Sequence, residues 1–289
     1  MKTRLKTQHF WAQALLLLSL ITLVSCSTPT TKQGAVGIER QQMLLVSETE
    51  MEKGADQAYR EVLAEAKKNH TLNTDPKELK RLRTIASRLI PQTKIYREDA
   101  PDWQWEVNLL KSDQLNAWCM PGGKIAFYTG IIDQLQLTDD EIAAIMGHEM
   151  AHALREHSRE RASQQMVSQA GLTALSILTG IQGPALDASN LVMQTTFLLP
   201  NSRTHETEAD RMGVELAARA GYDPYAAVSV WEKMEKRSKD APPEFLSTHP
   251  SNATRVDDLK KYAAMVEPLY QQAKQHPPKP AKLVSQPKP

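Results

Sequence analysis

The chain has 289 residues, 35 of them basic and 34 acidic, for a net charge of +1 with histidines neutral. Charges that nearly cancel, with no long basic stripe, argue against a nucleic-acid partner. The length suits one domain or a domain with appendages, and no internal repeat is visible.

At the start of the chain, Lys2, Arg4 and Lys6 precede "ALLLLSLITLVS", an apolar stretch of about 12 residues. A membrane span needs about 20, so residues 1–25 read as an export signal. The signal ends in "LVSC", which resembles the lipobox of bacterial lipoproteins. In that pattern the signal is cut before the cysteine, and Cys26 becomes the lipid-bearing N-terminus. Ser27, in place of an aspartate, resembles the sorting pattern for the outer membrane. The expectation is a membrane partner through the N-terminal lipid, with the fold facing the periplasm. Cys119 is the other cysteine. Lipidation would leave it a free thiol, while a Cys26–Cys119 disulfide stays open on count alone. Residues 26–37 ("CSTPTTKQGAVG") read as the lipidated cysteine and a flexible tether.

Helical periodicity follows at 48–68 and 76–90, the second opening where Thr74 or Asp75 can cap and Pro76 suits the first turn. Then the period shortens. "WQWEVNLL", "QLNAWCM" and "KIAFYTG" are rich in aromatic and β-branched residues and are punctuated by "PGG" at 121–123. They predict a small antiparallel sheet. From Thr138 the chain is helical again, with Glu141 at capping-box spacing. The fold class expected is α+β, mostly helical.

The helix from Glu141 to Leu154 is apolar or small almost all round, interrupted by Glu141, His148, Glu149 and His152. Such a helix is normally buried, and buried polar groups without partners cost about 1–3 kcal/mol each. His148, Glu149 and His152 form HExxH: two histidines four apart on one face can hold one Zn2+ ion, with the glutamate poised over a bound water. His157 lies one turn further and rotated away, so it is expected on the surface. A third ligand is required. On the predicted helix of "SRTHETEADRMGVELAARAGY", Glu206, Ala209, Asp210, Gly213, Leu216, Ala217 and Ala220 share one face. Glu208, Arg211 and Glu215 fall opposite, as solvated charges, and His205 reads as surface. One buried carboxylate on the metal and another gripping a ligand histidine would satisfy both acids. Gly213 would let this helix approach its neighbour closely. Residues 166–200 are apolar, but Gln169, Thr173, Thr179 and Gln182 break the run. A helical hairpin packed beside the site, as a lid, is expected there, with Met166 and Met193 as packing. Residues 273–289 are rich in proline and lysine and read as a disordered tail.

"GHEMAH" followed by "SRTHETEAD" resembles the M48 family of zinc metallopeptidases, in the branch of exported bacterial lipoproteins similar to a mitochondrial inner-membrane peptidase. The likeness covers about residues 38–265 of a domain placed at 38–272, and includes "NAWCMPGGKIAFYTGII" and "STHPSNATR". It implies a gluzincin fold, a small sheet above the HExxH helix and a glutamate helix below. It implies His148, His152 and Glu206 as ligands, Glu149 as general base and Asp210 as the partner of a ligand histidine. Asn116, Ala117 and Trp118 match the family's edge strand, with tryptophan for phenylalanine, which would pair with an extended substrate. His249 would face the metal, stabilising an oxyanion or gating the zinc, with Arg255 in support. The expected activity is zinc-dependent hydrolysis of peptide bonds in damaged or misassembled envelope proteins. The rival expectation is a zinc-stabilised lipoprotein acting mainly as an assembly chaperone. Oligomeric state is left open.

Overall fold

The computed structural model describes residues 27–179, 187–238, 244–250 and 254–283. Cys26 and residues 1–25, expected as an export signal, lie outside the described residues. Cys119 is buried with a free thiol.

The first long helices begin where side chains satisfy their free N–H groups. Helix α1 (Glu48–Lys68) opens on a capping box between Ser47 and Glu50. Helix α2 (Pro76–Leu89) opens on Asp75, whose carboxylate accepts from Lys77 and Glu78, with Pro76 in the first turn.

Three strands follow: β3 (Glu106–Leu110), β4 (Ala117–Met120) and β5 (Lys124–Tyr128), after the short pair β1 (Ser27–Thr28) and β2 (Gln42–Met43). The sheet order is β3-β5-β4. The antiparallel expectation holds for β4 and β5, but β3 pairs parallel to β5, so the sheet is mixed. The tight turn at Pro121–Gly123, with Gly122 and Gly123 at φ +75° and +81°, makes the β4–β5 pair antiparallel, and β5 then takes the place between β4 and β3. A Cβ on Gly123 would sit 2.6 Å from the Trp105 ring. Strand β4 is left at an edge.

Helix α3 (Thr129–Leu135) leads to α4 (Asp139–Leu154), where Thr138 and Glu141 form the expected capping box. Helix α5 (His157–Thr179), α6 (Ala188–Met193) and a π turn (Gln194–Leu198) occupy the segment expected as a hairpin, whose bend lies outside the described residues. Among the described residues no helix is long and apolar enough to cross a membrane. Met193 packs in a core cluster, but Met166 is exposed, against expectation. Helices α7 (Arg203–Arg219), α8 (Ala226–Ser238), α9 (Glu244–Thr248) and α10 (Arg255–Gln275) complete the fold.

Helices α4 and α7 meet backbone to backbone. A Cβ on Gly147 would lie 2.8 Å from the Gly213 carbonyl oxygen, and one on Gly213 would lie 2.7 Å from the His148 nitrogen. That approach brings carboxylates on α7 within reach of histidines on α4.

Among the described residues, parts of both segments expected as flexible are packed. Thr31, Val36 and Ile38 are buried, and Lys32 donates its backbone N–H to Tyr96 at 2.9 Å. Glu215 accepts from the N–H groups of Ala35 and Val36 at 2.9 and 3.2 Å. So residues expected as tether are part of the fold, held by a buried carboxylate and apolar contacts. At the other end, Ala281 donates to the Ser87 carbonyl at 2.7 Å, and Ala281 and Leu283 pack on the core.

Candidate metal centre and cleft

His148, Glu149 and His152 are buried on α4, as is Glu206 on α7. His148 Nε2 and His152 Nε2 face each other at 3.0 Å. Glu206 lies 3.5 Å from the first and 3.4 Å from the second. His249 Nδ1 joins them, 3.3 Å from His148 Nε2 and 3.1 Å from Glu206 Oε1. Ligand atoms of all four residues fall within 4.8 Å of one another. One shared proton satisfies only one such pair, whereas a cation satisfies all of them.

The outer ring nitrogens fix which lone pairs point inward. Asp210 Oδ1 lies 3.0 Å from His148 Nδ1, so that nitrogen carries the proton and Nε2 is the acceptor. His152 Nδ1 is 2.8 Å from His157 Nδ1, and His157 Nε2 is 3.0 Å from Glu208 Oε2. Glu208 accepts from His157 Nε2–H, which leaves His157 Nδ1 to accept from His152. His152 Nε2 therefore also presents a lone pair to the centre.

Electrostatics ask for positive charge at that point. Burial opposes a charge on His148, yet Asp210 and Glu206 outweigh it and push its pKa up to about 9. Burial holds His152 well below its ordinary value, against the pull of Glu206. Glu206 stays ionised: burial works against it, but the histidines that face it, His249 foremost with His148 and His152, hold its pKa well down. Arg255 adds to this, with Nη2 at 2.7 Å from Asp210 and 2.9 Å from Glu206, its guanidinium 3.6 Å above the Trp231 ring centre.

Beside the centre runs a cleft lined by Asn116, Ala117 and Trp118 of the edge strand region, by Glu149 and His249, and by Phe197 of the π turn. The space open to a water's centre is about 20 Å³, roughly one water. Glu149 Oε1 is buried there without a hydrogen-bond partner, 3.5 Å from His249 Nε2. Burial pushes the Glu149 pKa up.

Residues 76–263 match the family model described as Peptidase family M48. The chain belongs to that family. The M48 chain is 37% identical to Mitochondrial metalloendopeptidase OMA1 of Arabidopsis thaliana over 165 residues, 57% of this chain and 33% of the relative. It is 30% identical to the protein of the same name from Schizosaccharomyces pombe, over 72% of this chain and 59% of the relative. It is 26% identical to the Beta-barrel assembly-enhancing protease of Yersinia pestis, over 67% and 40% respectively. The chain thus spans between a third and about three fifths of the length of these relatives. M48 peptidases use zinc, and buried imidazole and carboxylate donors converging on one point fit that ion.

The M48 site unites His148, Glu149, His152, Glu206, Asp210 and His249, and places Asn116–Trp118 on its cleft. Five expectations change. His157, expected at the surface, is fully buried against His152. Glu156, at φ +54°, breaks the helix, so α5 starts afresh and swings His157 back. Glu208, expected in solvent, is buried on Arg40, Arg155 and His157, and Glu215 is buried too. His205 is buried, 3.2 Å from Glu160. The residues at 30–46 cover that side of α7, and nothing local on the helix announces them. Arg255, expected behind His249, holds Glu206 and Asp210 instead.

Proposed function

We propose that this M48 chain is a zinc-dependent endopeptidase of the cell envelope, hydrolysing peptide bonds in damaged or misassembled envelope proteins. The observation that carries the chemistry is the Glu149 carboxylate. It is buried, its Oε1 has no partner, and it lies between a four-donor centre and a cleft bordered by an edge strand. His148, His152 and Glu206 would hold zinc, which would supply Lewis acidity toward water and a carbonyl. Glu149 takes the proton of the attacking water and returns it to the leaving amine. Its raised pKa suits both halves of that task. Asn116, Ala117 and Trp118 offer an extended backbone against which a peptide is added as a further strand. A catalytic zinc needs one position for water or substrate, so His148, His152 and Glu206 would hold the ion and His249, the fourth donor, would have to leave it when substrate binds.

The envelope location rests on the signal at 1–25 and the lipobox ending at Cys26, with the name of the Yersinia pestis relative in agreement. Because β1 starts at Ser27, lipid on Cys26 would hold the fold directly against the membrane. Cys26→Ser should release the protein into the soluble periplasm. Continued outer-membrane fractionation without an acyl mass would remove the lipoprotein assignment.

Purified protein should degrade casein, and a zinc chelator should stop it. Glu149→Gln should keep zinc and fold yet lose cleavage. Retained cleavage by that variant would overturn the role of Glu149. A parent that holds zinc, suppresses aggregation of envelope proteins and cleaves nothing would favour the chaperone reading.

A further inference from the structure

The cleft holds a charge that the hydrolytic reading does not use. Arg161, on α5, is nine-tenths buried and lines the cleft together with Glu149 and His152. Its Nη2 donates to the Thr195 carbonyl and, at 3.4 Å, to Ser158 Oγ. Its Nε and Nη1 have no partner, and among the described residues it forms no ion pair. Every other strongly buried arginine nearby is neutralised: Arg155 by Glu208 and Arg255 by Glu206 and Asp210. Burial pushes the Arg161 pKa down to about 10, which still leaves it charged at neutral pH.

Arg161 is not alone. Trp118 Nε1, Glu149 Oε1, Thr196 Oγ1 and Asn201 Oδ1 are also buried without partners, and all belong to residues lining this same cleft. Buried polar atoms are normally hydrogen-bonded, and a concentration of exceptions at one place marks where a ligand supplies the missing partners. Among these, Arg161 offers the one cation, and an uncompensated buried charge is the costliest to leave unpaired.

We propose that Arg161 is a specificity-determining residue that receives a carboxylate of the bound peptide beside the scissile bond. The inference rests on the reading of this cleft as the place where a peptide lies. The carboxylate has two sources: an Asp or Glu side chain near the cut, or the C-terminus of the substrate. A guanidinium accepts either by charge-assisted hydrogen bonds, and neutral amide isosteres lack the charge. A site built to pair one buried group discriminates strongly against the analogue that leaves it unpaired.

Quenched peptides carrying Glu, Gln, Lys or Ala at each position flanking the cut, with free or amidated C-termini, test this on the zinc-loaded protein. At one position the Glu peptide should exceed its Gln isostere about tenfold or more in kcat/KM. Arg161→Gln should erase the difference, and Arg161→Lys should restore part of it. A preference that follows the free C-terminus, and not a side chain, assigns the carboxylate to the chain end. Equal rates for Glu and Gln peptides at every position and for both termini would overturn the inference in the parent alone, whatever the variants do. Anisotropy of labelled peptides on Glu149→Gln reads binding apart from turnover. Carboxylate-selective binding with no turnover by the parent would keep this site and remove the peptidase reading. Turnover without selectivity would remove this inference and keep that reading. Neither binding nor turnover would remove both.

Discussion

At the scale of single residues, the centre is built from pairs whose loss is unequal. Glu206→Ala removes a donor and leaves Arg255, which the two carboxylates share, with Asp210 alone. Zinc should be lost and stability lowered. Glu208→Ala removes no donor, yet it leaves the fully buried Arg155 unpaired and frees the His157 ring. Breaking a buried pair from one side costs about 3–5 kcal/mol, and losing the partner of a ligand histidine costs about 10–100-fold in metal affinity. Thermal unfolding and zinc titration on both variants check this; a Glu208→Ala protein with parental stability and affinity would refute the His157 relay. His249→Ala leaves three donors, so zinc should stay, and with the fourth position permanently open cleavage should be faster or less selective. Steady-state kinetics on one peptide read the sign. A fall of about 10²–10³ in kcat with KM and zinc unchanged would instead make His249 an oxyanion donor.

The two acids on the buried face of α7 were legible in sequence, because helical spacing alone sets Glu206 and Asp210 on the side of Gly213. His157 was not. Straight-helix geometry rotates it away from His152, and only the left-handed Glu156 brings it back.

At the scale of elements, everything depends on how near α7 comes to α4. Gly213→Ala inserts a methyl 2.7 Å from the His148 nitrogen, a distance that backbone cannot accept, so the helices must separate. Overpacking of this kind costs about 1–3 kcal/mol. It also draws Glu206 and Asp210 away from the histidines together. Gly213→Ala should therefore weaken zinc binding while Ala→Gly changes elsewhere on α7 do not, as isothermal titration would show. The caps at Thr138 and Asp75 and the turn at Pro121–Gly123 were readable because they are local chemistry. The parallel pairing of β3 was not, since strand order depends on contacts between segments distant in sequence.

At the scale of the whole molecule, the leading segment behaves as a strap. Arg40 pairs with Glu160 at 2.6 and 2.7 Å and with Glu208 at 2.9 and 3.0 Å, and Gln42 donates to the Arg155 carbonyl at 2.6 Å. Burial would raise the Glu160 pKa, but hydrogen bonds from Arg40, His205 and Gln42 hold it far below its ordinary 4.5. A depressed carboxylate contributes stability that is complete above its unfolded pKa and is lost as pH falls through its folded pKa. Below pH 4.5 the unfolded chain binds the proton and the folded one does not, so stability falls with acid by up to about 1.4 kcal/mol per pH unit from this group. Glu160→Gln should be less stable at neutral pH and flatter below pH 4.5; urea unfolding at stepped pH measures both. Composition hid this strap, because "STPTTKQGAVG" carries the small and polar residues of a linker and reveals its buried Val36 only in place.

The strap also sets the smallest portable version of the protein. A fragment begun at residue 76, where the family match begins, keeps all four donors and Glu149. It loses Arg40 and Gln42, so Glu160 and Glu208 face each other's surroundings without their main cation, and Glu215 loses two backbone donors. Such a fragment would carry the whole reaction chemistry in a body that cannot hold its shape. The residues that carry the chemistry and the residues that support them lie far apart in the chain, and trimming to the first set discards the second.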